Sequence, residues 1–237
     1  MLDQLGDFHH WFQRAIDEKA PDFEYQVVEV FNYEPLPDPR SVDGIIVTGS
    51  PLMLTDREGW MLDLARYLQE AVRAGPPLLG VCFGHQALAF ALGGEVADNP
   101  KGREVGTIEV NMEPAAAEDP LLSVLPQSFR VQATHVQSVT RLPPDAVLMG
   151  SNDMEPHHAF RYGQSAWGIQ FHPEFTQESL LYYVRERSQI LLEEGLDPVA
   201  IEADSADTPH GYLLLARFAE IVRDYSRQRH SPVQTLS

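Results

Sequence analysis

Apolar positions along this 237-residue chain change period several times, and each change marks an element. Phe8, Trp11, Phe12, Ala15 and Ile16 recur at helical spacing and predict a first amphipathic helix. YQVVEVF (25–31) reads as a strand, and PLPDPR (35–40) as a loop. DGIIVTGSP (43–51) is a short β-branched run ended by Gly-Ser-Pro, the pattern of a buried strand that stops at a turn. Leu64, Leu68, Ala71 and Val72 form one helical face, closed by Gly75 and Pro76-Pro77. PLLGVC (77–82) is a second buried strand, and HQALAFAL (85–92) a helix stopped by Gly93-Gly94. Strand and helix alternating at this spacing predict a parallel sheet covered by helices on both faces.

The pattern after Gly94 is different. VGTIEVNM (105–112), FRVQATHVQSV (129–139), AVLMGS (146–151), HHAFRYG (157–163) and SAWGIQFHPE (165–174) read as strands joined by short connections, an antiparallel section attached to the parallel one. Thr176 can cap a helix running to about Glu194 with Gly195 as its stop. Thr208-Pro209 opens a last helix with Leu213, Leu214, Phe218, Ile221 and Val222 on its apolar face. No linker, repeat or low-complexity tract divides the chain. A single domain is expected, with a core over about 1–175, C-terminal helices over about 176–225 and a frayed polar tail over 226–237.

Composition narrows the function. With 17 Lys and Arg against 35 Asp and Glu, the net charge is −18, which excludes the clustered basic surface of a nucleic-acid binder and disfavours anionic membranes. One cysteine forms no intramolecular disulfide, and the N-terminus lacks the basic start and apolar core of a signal peptide. No apolar run approaches the ~18 residues that a membrane span requires. A cytoplasmic location is expected.

That single cysteine is the first candidate for chemistry. Gly80-Val81-Cys82-Phe83-Gly84 has the form G-x-nucleophile-x-G between a predicted strand and a predicted helix. A sharp strand-to-helix turn strains the backbone of the nucleophile and needs small neighbours where the chain folds back. It also sets Cys82 at a helix N-terminus, where the partial positive charge favours thiolate. A lone cysteine is more often a buried packing residue; the flanking glycines, the strand before and the helix after argue otherwise. A thiol nucleophile needs a base and a group to orient it. WGIQFHPEF (167–175) offers both: on a strand His172 and Glu174 would leave the same face, ~7 Å apart, with Pro173 holding the segment extended.

These motifs resemble the class I, or triad, glutamine amidotransferases. The residues that carry the resemblance are VTGSP (47–51), GVCFGHQ (80–86), THVQSV (134–139) and QFHPEF (170–175), and NPKGREVG (99–106) is similar to the stand-alone branch related to the amidotransferase domain of GMP synthase. The resemblance implies a flavodoxin-like α/β fold: a mostly parallel sheet flanked by helices, an antiparallel strand section and extra C-terminal helices. It implies that Cys82 attacks the glutamine side-chain amide, that His172 moves the proton and that Glu174 orients His172. Backbone N–H groups of Gly49 and Phe83 would form the oxyanion hole, and Gln86 would contact substrate; His135 either lines the substrate pocket or packs. Glutamine is the implied small-molecule substrate, a synthetase or other acceptor enzyme the implied partner, and no cofactor is implied. The branch also contains γ-glutamyl peptidases, and many such domains are silent until a partner assembles the oxyanion hole; both remain alternatives. Three departures stand out. No first apolar strand precedes the first helix, Val136 stands where the family often has Gly, and no synthetase domain follows residue 175.

Other residues carry weaker signals. His85 reads as a structural residue at a helix start, and Trp60 as a loop residue that packs before a helix. Arg103 and Glu104 fall on a loop from which they could reach the glutamine site, although exposed charges on a loop usually do nothing specific. His9-His10 and His157-His158 are adjacent pairs whose side chains diverge, with no Cys, Asp or Glu at ligand spacing, so no metal site is expected.

Overall fold

The computed structural model describes residues 8–231 apart from Lys19. The opening residues 1–7, where the first strand is expected to be missing, lie outside the described residues, as do the Phe8 side chain and residues 232–237.

Helix α1 (Phe8–Asp17) buries Trp11, Phe12, Ala15 and Ile16, as its periodicity predicts. Residues 25–31 do not form a strand. Glu29 N–H donates to Glu34 Oε2, Val30–Asn32 closes a 3-10 turn, and Tyr25, Val27 and Phe31 are exposed. Alternation of apolar residues does not make a strand where the ladder is replaced by local bonds.

The next four elements follow the sequence reading: β1 (Ile45–Val47), α2 (Gly59–Ala74), β2 (Leu78–Val81) and α3 (Phe83–Ala91). Helix α2 ends at Gly75, whose φ of 93° lies in the left-handed region. Trp60 is inside α2, not in a preceding loop; it is buried, and its ring stacks on Phe83 at 5.5 Å.

Strands β3 (Glu95–Asp98), β4 (Glu104–Met112), β5 (Ser128–His135), β6 (Gln137–Arg141), β7 (Val147–Ser151), β8 (Ala159–Tyr162) and β9 (Ala166–Ile169) follow. The main sheet has the order β1-β2-β9-β8-β7-β4-β5. Strands β1, β2 and β9 are mutually parallel, and β8, β7, β4 and β5 continue the sheet antiparallel, so the antiparallel section is the larger part of the described sheet. The predicted strand 129–139 is split at Val136: β5 pairs with β4, while β6 leaves to form a separate two-stranded ribbon with β3. The Val136 carbonyl accepts from Asn99 N–H at the crossing point.

Successive side chains of the central strands go to opposite layers. Leu78, Phe160 and Ala166 face α2 and α3, whereas Leu79, Val81, Trp167 and Ile169 face α1 and the C-terminal helix. Burial on both faces explains why PLLGV reads as a continuous apolar run.

Beyond the sheet, Thr176 caps α4 (Gln177–Glu186) by accepting from Ser179 N–H. The predicted single helix to Glu194 breaks at Arg187 and resumes as α5 (Ser188–Glu193). Leu180, Val184 and Leu191 keep helical spacing across the break and share one small apolar cluster, so periodicity does not register it. Helix α6 (Pro198–Asp204), capped by Asp197, is absent from the sequence reading. Helix α7 (Pro209–His230) runs five residues into the expected frayed tail; Ser226 and Arg229 hold it there through Asp43. Among the described residues no helix is long and apolar enough to cross a membrane.

Candidate active site

Cys82 sits between β2 and α3 with φ 52° and ψ −103°. Such a backbone costs a non-glycine residue ~1–3 kcal/mol, and surrounding structure has to enforce it. Two contacts do so. Cys82 N–H donates to Ile169 O at 2.9 Å, and Gln86 N–H donates to Cys82 O at 3.1 Å as the first bond of α3. Both motif glycines are required by close approach: a Cβ on Gly80 would lie 2.4 Å from Gly84 O, and one on Gly84 would lie 2.1 Å from Val47 O. The chain therefore folds back tightly enough to aim the Cys82 side chain above the ends of the parallel strands.

His172 and Glu174 reach this point by a route that strand alternation does not predict. Strand β9 ends at Ile169, so the two residues are not alternate positions of a strand. Pro173 has no N–H to donate to a ladder, and the chain turns there. His172 is fixed by a single antiparallel bridge to Gln132, with its N–H donating to Gln132 O at 2.8 Å. Helix α7 packs on the turn so closely that a Cβ on Gly211 would lie 2.4 Å from Pro173 O. Phe175 lies 4.3 Å from the His172 ring and meets Trp11 of α1 edge-on at 5.1 Å. The two flanking helices thus hold the turn from outside.

The three side chains converge. Glu174 Oε1 accepts from His172 Nδ1 at 2.7 Å, and Cys82 lies close enough to His172 to act on its charge. All three residues are buried. Burial alone would push the His172 imidazole down, but the carboxylate of Glu174 and the neighbouring Cys82 lift it well above its ordinary value. The imidazole is therefore built to hold a proton beside the sulfur.

The other expected residues are distributed around this centre. A Cβ on Gly49 would lie 2.8 Å from His172 Cε1 and 3.6 Å from Cys82 Cβ, which sets the Gly49 backbone against both side chains. Phe83 is the first residue of α3, where N–H groups have no intrahelical acceptor. The Gln86 amide donates to Gln137 O at 3.0 Å and to Gln170 Oε1 at 3.1 Å, so only its carbonyl remains for a ligand. His135 does not turn its ring to the cysteine. Its ring nitrogens meet Gln137 O and Glu104 Oε2, each at 2.9 Å; the neighbouring Thr134 carbonyl is what accepts from Cys82 Sγ, at 3.7 Å.

Arg103 and Glu104 do not reach the cysteine either. Arg103 pairs with Glu194 beside α5, while Glu104 is buried against His135 and His158. Burial opposes ionisation of Glu104, yet the two imidazoles outweigh it and hold the carboxyl well below its usual range. His85 is fully buried 5.0 Å from the Phe160 ring, and burial drives it well below its ordinary value, which leaves it neutral. Sequence reading misses Gln170, whose carbonyl fixes Gln86, and the gathering of Glu104, His135 and His158. No local spacing signals either one.

The overall fold is shared with solved glutamine amidotransferases. The glutamine amido transferase of Methylobacillus flagellatus superposes with a TM-score of 0.71 at 26% identity, covering 95% of this chain and 92% of that one. The family model for Glutamine amidotransferase class-I matches residues 4–183, and the chain belongs to that family of enzymes. Among curated relatives, a subunit of the glutamine-hydrolyzing GMP synthase of Ignicoccus hospitalis is 31% identical over 170 residues, 71% of this chain and 84% of that protein. The glutamine-hydrolyzing GMP synthase of Porphyromonas gingivalis is 33% identical over 165 residues, 69% of this chain but 30% of that longer protein.

Proposed function

We propose that the protein hydrolyses the side-chain amide of glutamine through a thioester on Cys82 and delivers the ammonia to a synthetase on another chain. The observation that carries this reading is Cys82 held at positive φ beside an imidazole whose Nδ1 is bound to Glu174 at 2.7 Å and which is raised above its ordinary value. The sulfur attacks the amide carbon, and a C–S bond forms as the C–N bond breaks. His172 gives the leaving nitrogen its proton, so ammonia departs. Water then adds to the thioester carbonyl, losing a proton to His172, and glutamate leaves as the C–S bond breaks. Glu174 keeps the Nδ1–H of His172 pointed at itself and Nε2 pointed at the sulfur throughout.

In both steps a negative charge develops on the carbonyl oxygen. The N–H groups of Gly49 and Phe83 are the donors in this reading, and loss of one such donor typically costs ~3 kcal/mol of barrier. Glutamine is favoured over other γ-glutamyl compounds because the relatives above are named as glutamine-hydrolyzing. Their description as GMP synthase, or as one of its subunits, supports a synthetase as the ammonia user.

The test is ammonia release from L-glutamine and from γ-glutamyl dipeptides, by the parent and by Cys82→Ala, with mass spectrometry for a γ-glutamyl adduct. Glutamine turnover and an adduct, both lost in Cys82→Ala, are expected. Faster dipeptide cleavage would make the protein a γ-glutamyl peptidase. Turnover retained in Cys82→Ala would refute the thioester. An adduct-free, silent protein that is awakened by a synthetase would make it a partner-dependent component of a larger enzyme.

A further inference from the structure

Beside the cysteine site lies a second buried cluster that glutamine chemistry does not use. Glu104 opens β4, His135 ends β5 directly opposite it, and His158 immediately precedes β8. One ligand atom from each lies within 4.8 Å of the others. Glu104 Oε2 is 2.9 Å from Nε2 of His135 and 2.9 Å from Nε2 of His158.

Hydrogen-bond accounting calls for a cation there. His135 Nδ1 faces the Gln137 carbonyl, which only accepts, so Nδ1 carries a hydrogen. In a neutral ring Nε2 then presents a lone pair to the Glu104 carboxylate, which also only accepts. His158 is fully buried, and although its Nε2 lies close to Glu104, neither of its ring nitrogens makes a hydrogen bond. The outer contacts are those of metal ligands as well: a backbone carbonyl orients the far nitrogen of His135, and the Asn152 amide donates to Glu104 Oε1 at 2.7 Å.

We propose that Glu104 Oε2, His135 Nε2 and His158 Nε2 bind a divalent transition-metal ion of the zinc class. Two imidazoles and one carboxylate suit such an ion and leave a fourth position for water. An ion about 2 Å from each ligand atom would put those atoms about 3.3 Å apart, an opening of a few tenths of an ångström for the two histidine–carboxylate contacts at 2.9 Å. The ion would join three strands behind the nucleophile. Thr134, next to His135, accepts from Cys82, and the Gln137 carbonyl meets both His135 and the Gln86 amide. Its role is to brace the wall of the cysteine site, outside the reacting atoms. It departs from the expectation drawn from the His157-His158 pair, because tertiary contact supplies the missing carboxylate.

Access to a buried site comes with folding, so the protein is refolded from urea with zinc, with cobalt or with chelator. After gel filtration, elemental analysis is expected to find one ion per chain and a higher Tm than in the chelator-treated form. The cobalt form is expected to show visible d–d absorption. His158→Phe and Glu104→Gln are expected to lose the ion. An ion-free parent, folded in the presence of zinc and with imidazole 15N shifts showing both His135 nitrogens protonated, would overturn the proposal: the cation would then be a proton. Full retention of the ion by a folded His158→Phe variant would overturn it too. These readouts are independent of glutamine turnover.

Discussion

Replacement of Gly84 by alanine tests whether close packing of the nucleophile turn is what positions Cys82. A Cβ on Gly84 would lie 2.1 Å from Val47 O and 2.8 Å from Val47 C, where ordinary contact begins at 3.4 Å. More than an ångström has to be opened, and both opposing groups are backbone. Overpacking costs ~1–3 kcal/mol, and a backbone-on-backbone contact belongs at the upper end. With a urea slope of ~2–3 kcal/mol per molar, the unfolding midpoint should fall by about 1 M. Val47 ends β1 just before the Thr48-Gly49 turn, so the movement that relieves the clash separates Cys82 from Gly49. A displacement of ~1 Å at a reacting centre costs on the order of 100-fold in turnover. Gly75→Ala serves as the control: its φ of 93° makes alanine strained, but nothing lies within 4 Å of the added carbon. It should lose about 1 kcal/mol and keep full glutaminase turnover. A Gly84→Ala protein with parent midpoint and parent turnover would refute the packing argument. A lower midpoint with parent turnover would refute the link from packing to catalysis.

Glu174→Gln removes one of the charges that lift His172. Because that imidazole is raised in the folded state, its stabilising contribution is complete below the ordinary value of ~6.5 and is lost as pH rises through the higher folded value; in the variant the contribution is smaller and its loss is complete at a lower pH, and urea midpoints that vary identically with pH in both proteins would contradict this. Asp119→Ala strands the N–H groups of Leu121 and Leu122, the Trp167 indole and Arg161, all within 3.0 Å of this buried carboxylate, and should cost ~3–5 kcal/mol by thermal unfolding; a loss below about 1 kcal/mol would mean the donors find other acceptors. Gly211→Ala favours helix α7 by about 1 kcal/mol yet drives a carbon toward Pro173 O. Turnover should fall as the His172–Glu174 turn moves, and a more stable protein with full turnover would exclude that coupling.

Local signals in the sequence are strong where one segment carries the whole constraint. The G-x-C-x-G run marks the strained turn because Gly80 and Gly84 are demanded by contacts within a few residues or with the adjacent strand. Cys82, His172 and Glu174 can be named for the same reason, although alternation along a strand is the wrong geometry for the last two: Pro173 ends the ladder, and the pair meets across a turn held by α1 and α7. Signals fail where the decisive partner is remote. Tyr25, Val27 and Phe31 alternate like a strand but are left exposed. Val136 looks like the middle of one strand and is instead the point where the chain leaves one sheet for another. His135 and His158 look unsupported in the sequence because Glu104, the carboxylate that meets both, is 31 residues from the first.

The placement of His135 ties these observations together. The Thr134 backbone carbonyl accepts from Cys82 Sγ, while the His135 ring lies in the interior between Gln137 O and Glu104 Oε2. The same segment then supplies Gln137 O to Gln86, one helical turn beyond the nucleophile. Residues 134–137 therefore couple the buried cluster to the cysteine site through backbone carbonyls. Substitutions at Glu104 should consequently reach turnover by moving those carbonyls, with no direct contact between Glu104 and Cys82.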